Sequence, residues 1–552
     1  MRRLQKILAG ILLTGKAAIL AAAAAQGEVD WTRLNVAARE HAKTPIRTGV
    51  PGVRPFWNGH AKAFIHPPAF EFKEVEGAKE YRFALADAQE RVPPDAASAR
   101  VSARSASAPY HSWTAHKPWL PIPADIWDSL KPGYYTLKVE GSGERTFYRA
   151  AVFQGPYPQG ACGYREAARK VYAAVYNLPQ VQGWKTSDDP PKGYDLYCYP
   201  AKIMGSMIRA LARHAKATPQ NADDALAIAR KMADWLIAHS QSADASLAHF
   251  PPTYWGDRRD VAVKNAGQNM LLYPAHAALA YLDLAEAGDL AEHGRAGAPC
   301  PPSARSGSAP YQKYVAAATA IAHTYAKLQG TDGTWPLKVR EKDGSPVRAN
   351  RLVPGRYILG LFDHVEQAAE TAAPHAFAQT RDRAFAYVLN GPMKTWNWDG
   401  QFEDMDPMPA YKNLQKGCAV DTALRFFAQG RVAEGCELVD WCEDQFVVWS
   451  DPIHNMDWKH WKTPTALEQY DYYTPIDASM GDMIGAFAAA YKATGNSLYL
   501  EKAKALADNI TRNQRADGTI PTYFDSRKGS DWVNCMIYVA DRLEALADVM
   551  EM

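Results

Sequence analysis

One short segment of the sequence carries a histidine in a position suited to proton transfer. In NAGQNMLLYPAHAALAY, Asn269, Tyr273 and His276 follow one another at spacings of four and three residues. In an α-helix these three side chains share one face. Histidine is suited to act as a base near neutral pH, because its ordinary pKa is about 6.5. The alternative interpretation of His276 is a buried histidine with a structural hydrogen bond.

A second segment, KVREKDGSPVRANRLVPGRYILGLFDH, concentrates arginine in a loop before an apolar helix. It contains Arg348, Arg351 and Arg356, followed directly by Tyr357. The planar guanidinium group binds a carboxylate through two parallel hydrogen bonds. The segment therefore predicts a site for an acidic ligand. A solvated basic loop is the alternative.

Two further loops mix aromatic and polar residues outside any apolar pattern. The chain has 16 Trp and 28 Tyr, and many lie in such polar segments. Aromatic rings stack on sugar faces, so we expect these loops to line a groove for an extended glycan chain. The substrate-binding residues predicted in these two loops are Trp398, Glu403, Asp404, Tyr411, His454, Trp458 and Tyr472. Tyr273, Trp335 and Arg348, which precede the loops in the chain, are predicted to bind the same glycan.

The elements that position these residues are predicted to be paired helices. From about residue 160 onward, small and apolar residues recur every three to four positions. The turn Gln-x-x-Asp-Gly-Thr-x-Pro occurs after two Ala-rich helices, at 329–336 and 514–521. Repeated helical hairpins that end in the same turn are typical of a solenoid or a closed ring. We therefore predict a mainly α protein whose residues 160–552 form an (α/α) barrel, or toroid, of six or seven hairpins. An open solenoid is the alternative.

The preceding part of the chain has a different pattern. Residues 31–155 contain PPAFEFKEV, KEYRFALAD, GYYTLKVEG and RTFYRAAVF, which alternate apolar and polar positions between turn-forming clusters. This pattern predicts a small fibronectin-like β-sandwich. Residues 1–26 have the basic start, apolar stretch and small residues of a signal peptide, which predicts a secreted or periplasmic protein.

Composition excludes several other classes of function. The net charge is +2 and no run of Lys and Arg occurs, which argues against a nucleic-acid partner. No segment after the signal peptide is apolar over the length of a membrane span. The seven cysteines include no CxxC pair and no cluster with zinc spacing. We therefore expect no metal and no cofactor, while the oligomeric state stays open.

The helical region resembles polysaccharide lyase family 38, whose members cleave glucuronan or alginate. The resemblance lies in the ring of helices, the Asn/His helix, the spacing from Arg351 to Tyr357 and the WDGQFEDM loop, and it covers roughly residues 160–550. It implies that His276, Arg351 and Tyr357 are catalytic. Asn269 stands seven residues before the histidine, where the family pattern has a glutamate, and is included with them.

The reaction that the resemblance implies is β-elimination on a uronic acid. The carboxylate must be neutralised, a base must remove the C5 proton and an acid must protonate O4. Arg351 with Asn269 would neutralise, and His276 and Tyr357 would transfer the protons. Three alternatives remain: a glycoside hydrolase with paired carboxylates on the same ring, a uronate C5-epimerase, and a glycan-binding protein without catalysis.

Overall fold

The computed structural model describes most of the chain, with the helical region the most complete. The described residues are 29–53, 56, 61–88, 111–296, 311–348, 351–352, 357–368, 375–398, 416–450, 461–469, 474–525 and 531–552. The helices are α1 Trp31–His41, α2 Ala124–Ser129, α3 Tyr164–Asn177, α4 Pro179–Gln182, α5 Pro200–Ala217, α6 Ala222–Ala238, α7 Asp260–Lys264, α8 Tyr273–Ala296, α9 Gln312–Leu328, α10 Ile358–Ala368, α11 Ala378–Asn390, α12 Pro392–Thr395, α13 Lys416–Ala428, α14 Val432–Phe446, α15 Asp477–Thr494, α16 Ser497–Asn513 and α17 Val533–Glu551.

The long helices form a ring of six hairpins. The inner helices are α5, α8, α10, α13, α15 and α17, and the outer helices are α3, α6, α9, α11, α14 and α16. Five inner helices pack against their outer partners, and α17 contacts both α5 and α3, which closes the ring. In the sixth hairpin, Arg381 Nη1 of α11 donates to Glu366 Oε2 of α10 at 2.7 Å. Between α10 and α13, Arg425 Nη1 donates to Asp363 Oδ2 at 3.0 Å. The predicted (α/α) barrel is confirmed, with six hairpins among the described residues.

The inner helices pack closely because their sequences supply small residues. In α5, Gly205 lies against α8, where an added Cβ atom would come within 3.4 Å of the Ala277 Cα atom. The helix begins at Pro200, whose ring has the φ angle that a first helical residue needs and lacks only an unused N–H. The α15 helix ends at Gly495, which has φ 69° and is suited to this left-handed position.

The repeated Asp-Gly-Thr turns connect neighbouring outer helices. The side-chain amide of Gln329 donates to the Gly333 carbonyl at 2.9 Å and to the Thr380 carbonyl on α11 at 2.8 Å. Gln514 makes the same pair of bonds, to the Gly518 carbonyl and to a carbonyl on α3, both at 2.9 Å. The repeat in the sequence therefore has a structural role, since each copy fastens one hairpin to the next.

A small sheet region precedes the ring. Its strands are β1 Ala63–Phe64, β2 Tyr81–Asp87, β3 His111–Ala115, β4 Gly133–Val139 and β5 Gly143–Arg149. They form one sheet in the order β1-β5-β4-β2-β3, in which only the β1–β5 pair is parallel. Trp127 of α2 is fully buried, stacks near Phe147 and donates to the Ile65 carbonyl at 2.9 Å. The short helix therefore packs on one face of this sheet.

The expected details of this region are only partly correct. Two of the four predicted strand segments contain β2 and β4 and a third overlaps β5, but residues 67–75, PPAFEFKEV, form no strand, and β3 was not expected. Among the described residues before the ring there is one sheet, so the two facing sheets of a sandwich are not seen there. Residues 31–41 are helical, because they bury Leu34 and Ala38 at helical spacing. The domain boundaries 31–155 and 160–552 stay a prediction.

Pairs of short strands lie in the loops between helices of the ring. They pair β6 Gln268–Met270 with β8 Lys338–Arg340, β7 Trp335–Pro336 with β9 Arg351–Leu352, and β10 Val447–Val448 with β11 Thr465–Ala466, all antiparallel. Among the described helices, none combines the length and hydropathy that crossing a bilayer requires.

Candidate active site

An open cavity lies at the centre of the ring, with about 1040 Å³ of empty space when the part open to solvent is included. Each of the six inner helices contributes lining residues, either from its first three turns or from the residue that directly precedes it. Its lining residues from these helices are Lys202, Ser206, Arg209, Tyr273, His276, Tyr357, Lys416, Gly417, Cys418, Ile476, Ala478, Ser479, Asp482, Asn534, Cys535, Ile537, Tyr538 and Asp541, to which Leu272 and Glu468 are added. Helix N-termini carry partial positive charge, so six of them around one cavity favour an anionic ligand.

His276 and Tyr357 come together in this cavity. The α8 helix begins at Tyr273, which puts His276 in its first turn, and Tyr357 directly precedes α10. The two ring centroids are 4.8 Å apart with an angle of 42° between the rings. His276 is 5% exposed, and its ring lies against Gly205 of α5, where a Cβ atom would be 3.2 Å from Nδ1. The glycine therefore leaves the space in which the imidazole faces the tyrosine.

One face of α5 supplies positive charge to the cavity. Lys202, Ser206 and Arg209 are spaced as i, i+4 and i+7, and all three line the cavity. Arg209 Nε is 2.8 Å from Asp283 Oδ2, and its Nη2 is 3.1 Å from Asp541 Oδ2. Burial alone would lower the pKa of Arg209, but these two carboxylates raise it, and the nearby Tyr357 adds to the effect. Arg209 is thus held as a cation beside the Tyr357 phenol.

The wall formed by α15 and α17 is acidic. Tyr538 donates to Asp482 Oδ1 at 2.7 Å and accepts from Arg542 Nη2 at 2.9 Å. Asp477, fully buried at the start of α15, accepts from the Ala478 N–H at 2.7 Å. Burial raises the pKa of Asp477 well above its ordinary value, with Asp531 and Glu468 adding to the shift. This wall therefore offers one carboxyl group that favours its protonated form and others that line the open cavity.

Asn269 and Arg351, which the resemblance groups with His276, do not line the cavity. Asn269 lies in β6, four residues before the α8 helix begins, so it shares no helix face with His276. It is fully buried, and its amide donates to the Pro251 carbonyl at 3.1 Å. Arg351 lies in β9, where its Nη2 is 2.7 Å from Asp332 Oδ2. The guanidinium thus pairs with the aspartate of the repeated turn.

The structure describes four of the other predicted residues, and they lie in different surroundings. Tyr273 lines the cavity and is 7% exposed, whereas Arg348 is exposed and outside the lining. Trp335 and Trp398 are fully buried: the Trp335 indole donates to the Tyr325 carbonyl at 2.8 Å, and Trp398 packs near Trp441. A ring with no exposed face cannot stack on a sugar, so the groove-lining role predicted for these two tryptophans is wrong.

The remaining predictions fall outside the described residues. They are Glu403, Asp404, Tyr411, His454, Trp458 and Tyr472. In the chain, their loops precede α13 and α15, whose first turns line the cavity. Their role in binding stays a prediction.

Several cavity residues were not expected from the sequence. Lys202 and Arg209 lie in an Ala-rich helix, YPAKIMGSMIRALARHAK, that was interpreted only as part of the ring. Their i, i+7 spacing with Ser206 between them was a signal, because a polar stripe on a helix with many buried residues must face something polar. Asp541 and Tyr538 of α17 repeat that spacing with Asn534. Apart from this spacing, no short sequence motif marks the cavity residues of α5 and α17.

The comparisons with known proteins find distant similarity of fold and no similarity of sequence. No protein-family model matches the sequence, and no characterised protein matches it by sequence. Among solved structures, a family 76 glycoside hydrolase from a bovine Bacteroides thetaiotaomicron strain has 9% identity and a TM-score of 0.43, over 86% of this chain and 93% of that one. The cellobiose 2-epimerase of Spirochaeta thermophila has 12% identity and a TM-score of 0.41, over 70% and 97%.

A polysaccharide lyase is also similar, with 10% identity and a TM-score of 0.36, over 73% of this chain and 52% of that chain. With identities and scores this low, the reaction and substrate must be argued from this chain's own residues. Membership of polysaccharide lyase family 38 stays a prediction.

Proposed function

We propose that this protein is a polysaccharide lyase that cleaves a polyuronate, such as glucuronan or alginate, by β-elimination. The observation that carries the proposal is the pair of His276 and Tyr357, 4.8 Å apart between ring centroids in an open cavity lined by Lys202 and Arg209. A base, an acid and a cation within one cavity are the groups that elimination from a uronic acid needs.

The first requirement is a positive group at the uronate carboxylate. In place of Arg351, which pairs with Asp332, we assign this role to Lys202. Its Nζ lies 5.4 Å from the centroid of the Tyr273 ring, and Tyr273 belongs to the same turn of α8 as His276. A cation held there stabilises the charge that develops on the carboxylate as C5 loses its proton.

The second requirement is proton transfer at C5 and O4. One member of the His276–Tyr357 pair removes the C5 proton, the electron pair forms the C4–C5 double bond, and the C4–O4 bond breaks. The other member gives a proton to the leaving O4 oxygen. Negative charge on the Tyr357 oxygen is stabilised by the Arg209 cation beside it, whose interaction with Tyr357 contributes to the raised pKa of Arg209. Export by the predicted signal peptide is part of this proposal.

The test is incubation with a panel of polyuronates, followed by the ultraviolet absorbance of the unsaturated product. We expect absorbance to grow with at least one polyuronate and not with its carboxyl-reduced form. New reducing ends without absorbance would contradict elimination.

A hydrolase is the second candidate, because the carboxyl groups of Asp482 and Glu468 line the same cavity. A protonated and an ionised carboxyl group across a glycosidic bond are what hydrolysis uses. Asp482→Asn, with Tyr357→Phe as its matched partner, separates the two reactions. Loss of cleavage only in the aspartate variant would favour hydrolysis.

A C5-epimerase would remove the same proton without cleaving the chain. Incubation in heavy water distinguishes it, since deuterium would then enter at C5 of a polymer of unchanged length.

A further inference from the structure

We propose a second carboxylate subsite beside the cavity, formed by Arg259 over the ring of Trp532 and adjacent to Lys202, to which the first carboxylate is assigned. It would bind the carboxylate of a uronate adjacent to the residue that is cleaved. This inference rests on the proposed function, because it deepens the preference of the same site for a polyanionic glycan.

The subsite is continuous with the cavity. Trp532 caps the start of α17, and Asn534 and Cys535, two and three residues later, line the cavity. Lys202 Nζ lies 4.7 Å from the centroid of the Trp532 ring, and the Arg259 guanidinium carbon lies 5.4 Å from it. One indole ring thus contacts a cation of the cavity wall and a second cation next to it.

Tyr199 completes the platform. Its ring is fully buried and its centroid is 6.0 Å from that of Trp532. Lys202 Nζ is 5.5 Å and the Arg259 guanidinium carbon 5.8 Å from the Tyr199 centroid. Two aromatic rings therefore lie against both cations, and such cation–π contacts stabilise a positive charge.

Arg259 differs from its neighbour in how its charge is used. Arg258 donates to the carbonyl oxygens of Pro190, Pro191 and Tyr194, so its side chain holds a loop in place. Within the part of the chain that the structure describes, no carboxylate forms an ion pair with Arg259, whose guanidinium lies over the two aromatic rings. A half-buried guanidinium of this kind beside an anion-favouring cavity is suited to bind a carboxylate of the ligand.

The chemistry of the substrate explains why two such positions are useful. In a polyuronate every sugar unit carries a carboxylate, so a chain that places one carboxylate in the cavity brings the next one close by. A neutral glycan has no group for Arg259. The subsite would therefore contribute affinity and select for consecutive uronates, while the proton transfers stay with His276 and Tyr357.

The experiment measures binding by titration calorimetry in the Tyr357→Phe background, so that the ligand is not consumed. The ligands are a tetrauronide and the same tetrasaccharide with its carboxylates reduced to alcohols. We expect Arg259→Ala to weaken binding of the tetrauronide about 10- to 100-fold, the range for a hydrogen bond to a charged group. Binding of the reduced ligand should not change.

Two further variants serve as controls. Lys264→Ala removes one exposed charge from the end of the same short helix, α7, and should leave both affinities unchanged. Arg259→Gln keeps the polar character and much of the side-chain length, so it tests the charge if Arg259→Ala unfolds. Thermal unfolding of each variant verifies that the fold is kept.

The outcomes separate this inference from the proposed function. Equal affinities of the Arg259 and Lys264 variants for the tetrauronide would overturn the subsite and leave the lyase proposal standing. A selective loss in the Arg259 variants, from a parent protein that cleaves no polyuronate, would support the subsite and overturn the lyase. A parent protein that binds both ligands equally would overturn both.

Discussion

Two polar clusters lie inside this protein, and they differ in what surrounds them. One is the cavity at the centre of the ring. The other, which we call the docking cluster, lies where the N-terminal region meets α14 and α16. Its members are His41, His66, Asp440, Glu443, Asp444 and Lys502. Both clusters contain histidine, carboxylates and cations, but the cavity opens to solvent whereas the docking cluster is closed.

The docking cluster is built from bonds between its own groups and the backbone. Asp444 Oδ1 accepts from the backbone N–H groups of Ile65 and His66, each at 2.7 Å. Lys502 Nζ is 2.6 Å from Glu443 Oε2, and both side chains are at most 3% exposed. These bonds connect the sheet region to α14, and α14 to α16.

Shifted pKa values therefore do not identify the active site here. Burial lowers the pKa of His66 to about 4 and raises that of Asp444 to about 7. Such values are typical of catalytic groups, but structural networks produce them too. What distinguishes the cavity is the open space beside His276 and Tyr357. The comparison teaches that accessibility, together with residue type, separates a reactive cluster from a supporting one.

The largest effect is expected at the cavity. Tyr357→Phe removes one hydroxyl, so the fold should survive while polyuronate cleavage falls by about 10²- to 10⁴-fold, the usual contribution of a general acid or base. Steady-state rates and thermal unfolding measured on the same samples test this. Parental turnover in this variant would show that the His276–Tyr357 pair is not the reactive one.

At the docking cluster we expect the reverse, a loss of stability without loss of turnover per folded molecule. Lys502→Met leaves the buried Glu443 carboxylate without its cation, which typically costs about 3–5 kcal/mol of unfolding free energy. Urea denaturation measures this loss. Adding Glu443→Gln removes the unpaired charge and keeps an acceptor for the Trp449 indole, so most of the stability should return. No recovery in the double variant would contradict this account.

The His66→Gln variant tests the shifted pKa of His66 through the pH dependence of the unfolding free energy. In the unfolded chain His66 has a pKa near 6.5, against about 4 in the folded protein. As the pH falls from 6.5 to 4, the unfolded state binds a proton that the folded state does not, so stability falls, by at most about 3 kcal/mol. His66→Gln keeps a donor for the Thr44 carbonyl but has no such titration.

The difference in unfolding free energy between His66→Gln and the parent should therefore shift in favour of the variant as the pH is lowered. The raised pKa of Asp444 acts in the opposite direction, with stability falling as the pH rises toward 7, but it is common to both proteins and cancels in the difference. A difference that is constant between pH 4 and 7 would contradict the assigned pKa of His66.

The smallest effect is expected for Arg351→Lys. Arg351 and Asp332 are each about one third exposed, and such ion pairs contribute about 0–1 kcal/mol. Stability should change little, and cleavage should stay near the parental rate because Arg351 does not line the cavity. A loss of rate as large as that of Tyr357→Phe would return Arg351 to the catalytic group that the resemblance implies.

The sequence predicted the helices well because their signal is local. Small and apolar residues recur every three to four positions in four segments that match α5, α6, α9 and α15. These segments are 199–216, 222–240, 314–330 and 481–496. His276 and Tyr357 were found because residue types suited to proton transfer stand near the starts of apolar helices, and the resemblance to a lyase family grouped them as catalytic. The two Asp-Gly-Thr turns indicated repeated hairpins because their signal is also local.

Where prediction failed, the deciding contacts join residues distant in sequence. Asn269 was placed on a helix face, but it pairs with Val339 in the β6–β8 ladder. Trp398 was assigned to a groove because its neighbours are polar, but it is buried near Trp441, more than 40 residues later. The docking cluster escaped notice because His66 and Asp444 are separated by 378 residues.

By itself, the sequence determined the class of the fold, the number of hairpins to within one, and two of the residues that meet in the cavity. The first two follow from periodicity and turns, which are properties of neighbouring residues. Only the tertiary structure decided which charges are free to meet a ligand. Arg351 pairs with Asp332, whereas Arg259 lies over Trp532 beside the cavity, because an arginine's role depends on whether folding brings a carboxylate to it.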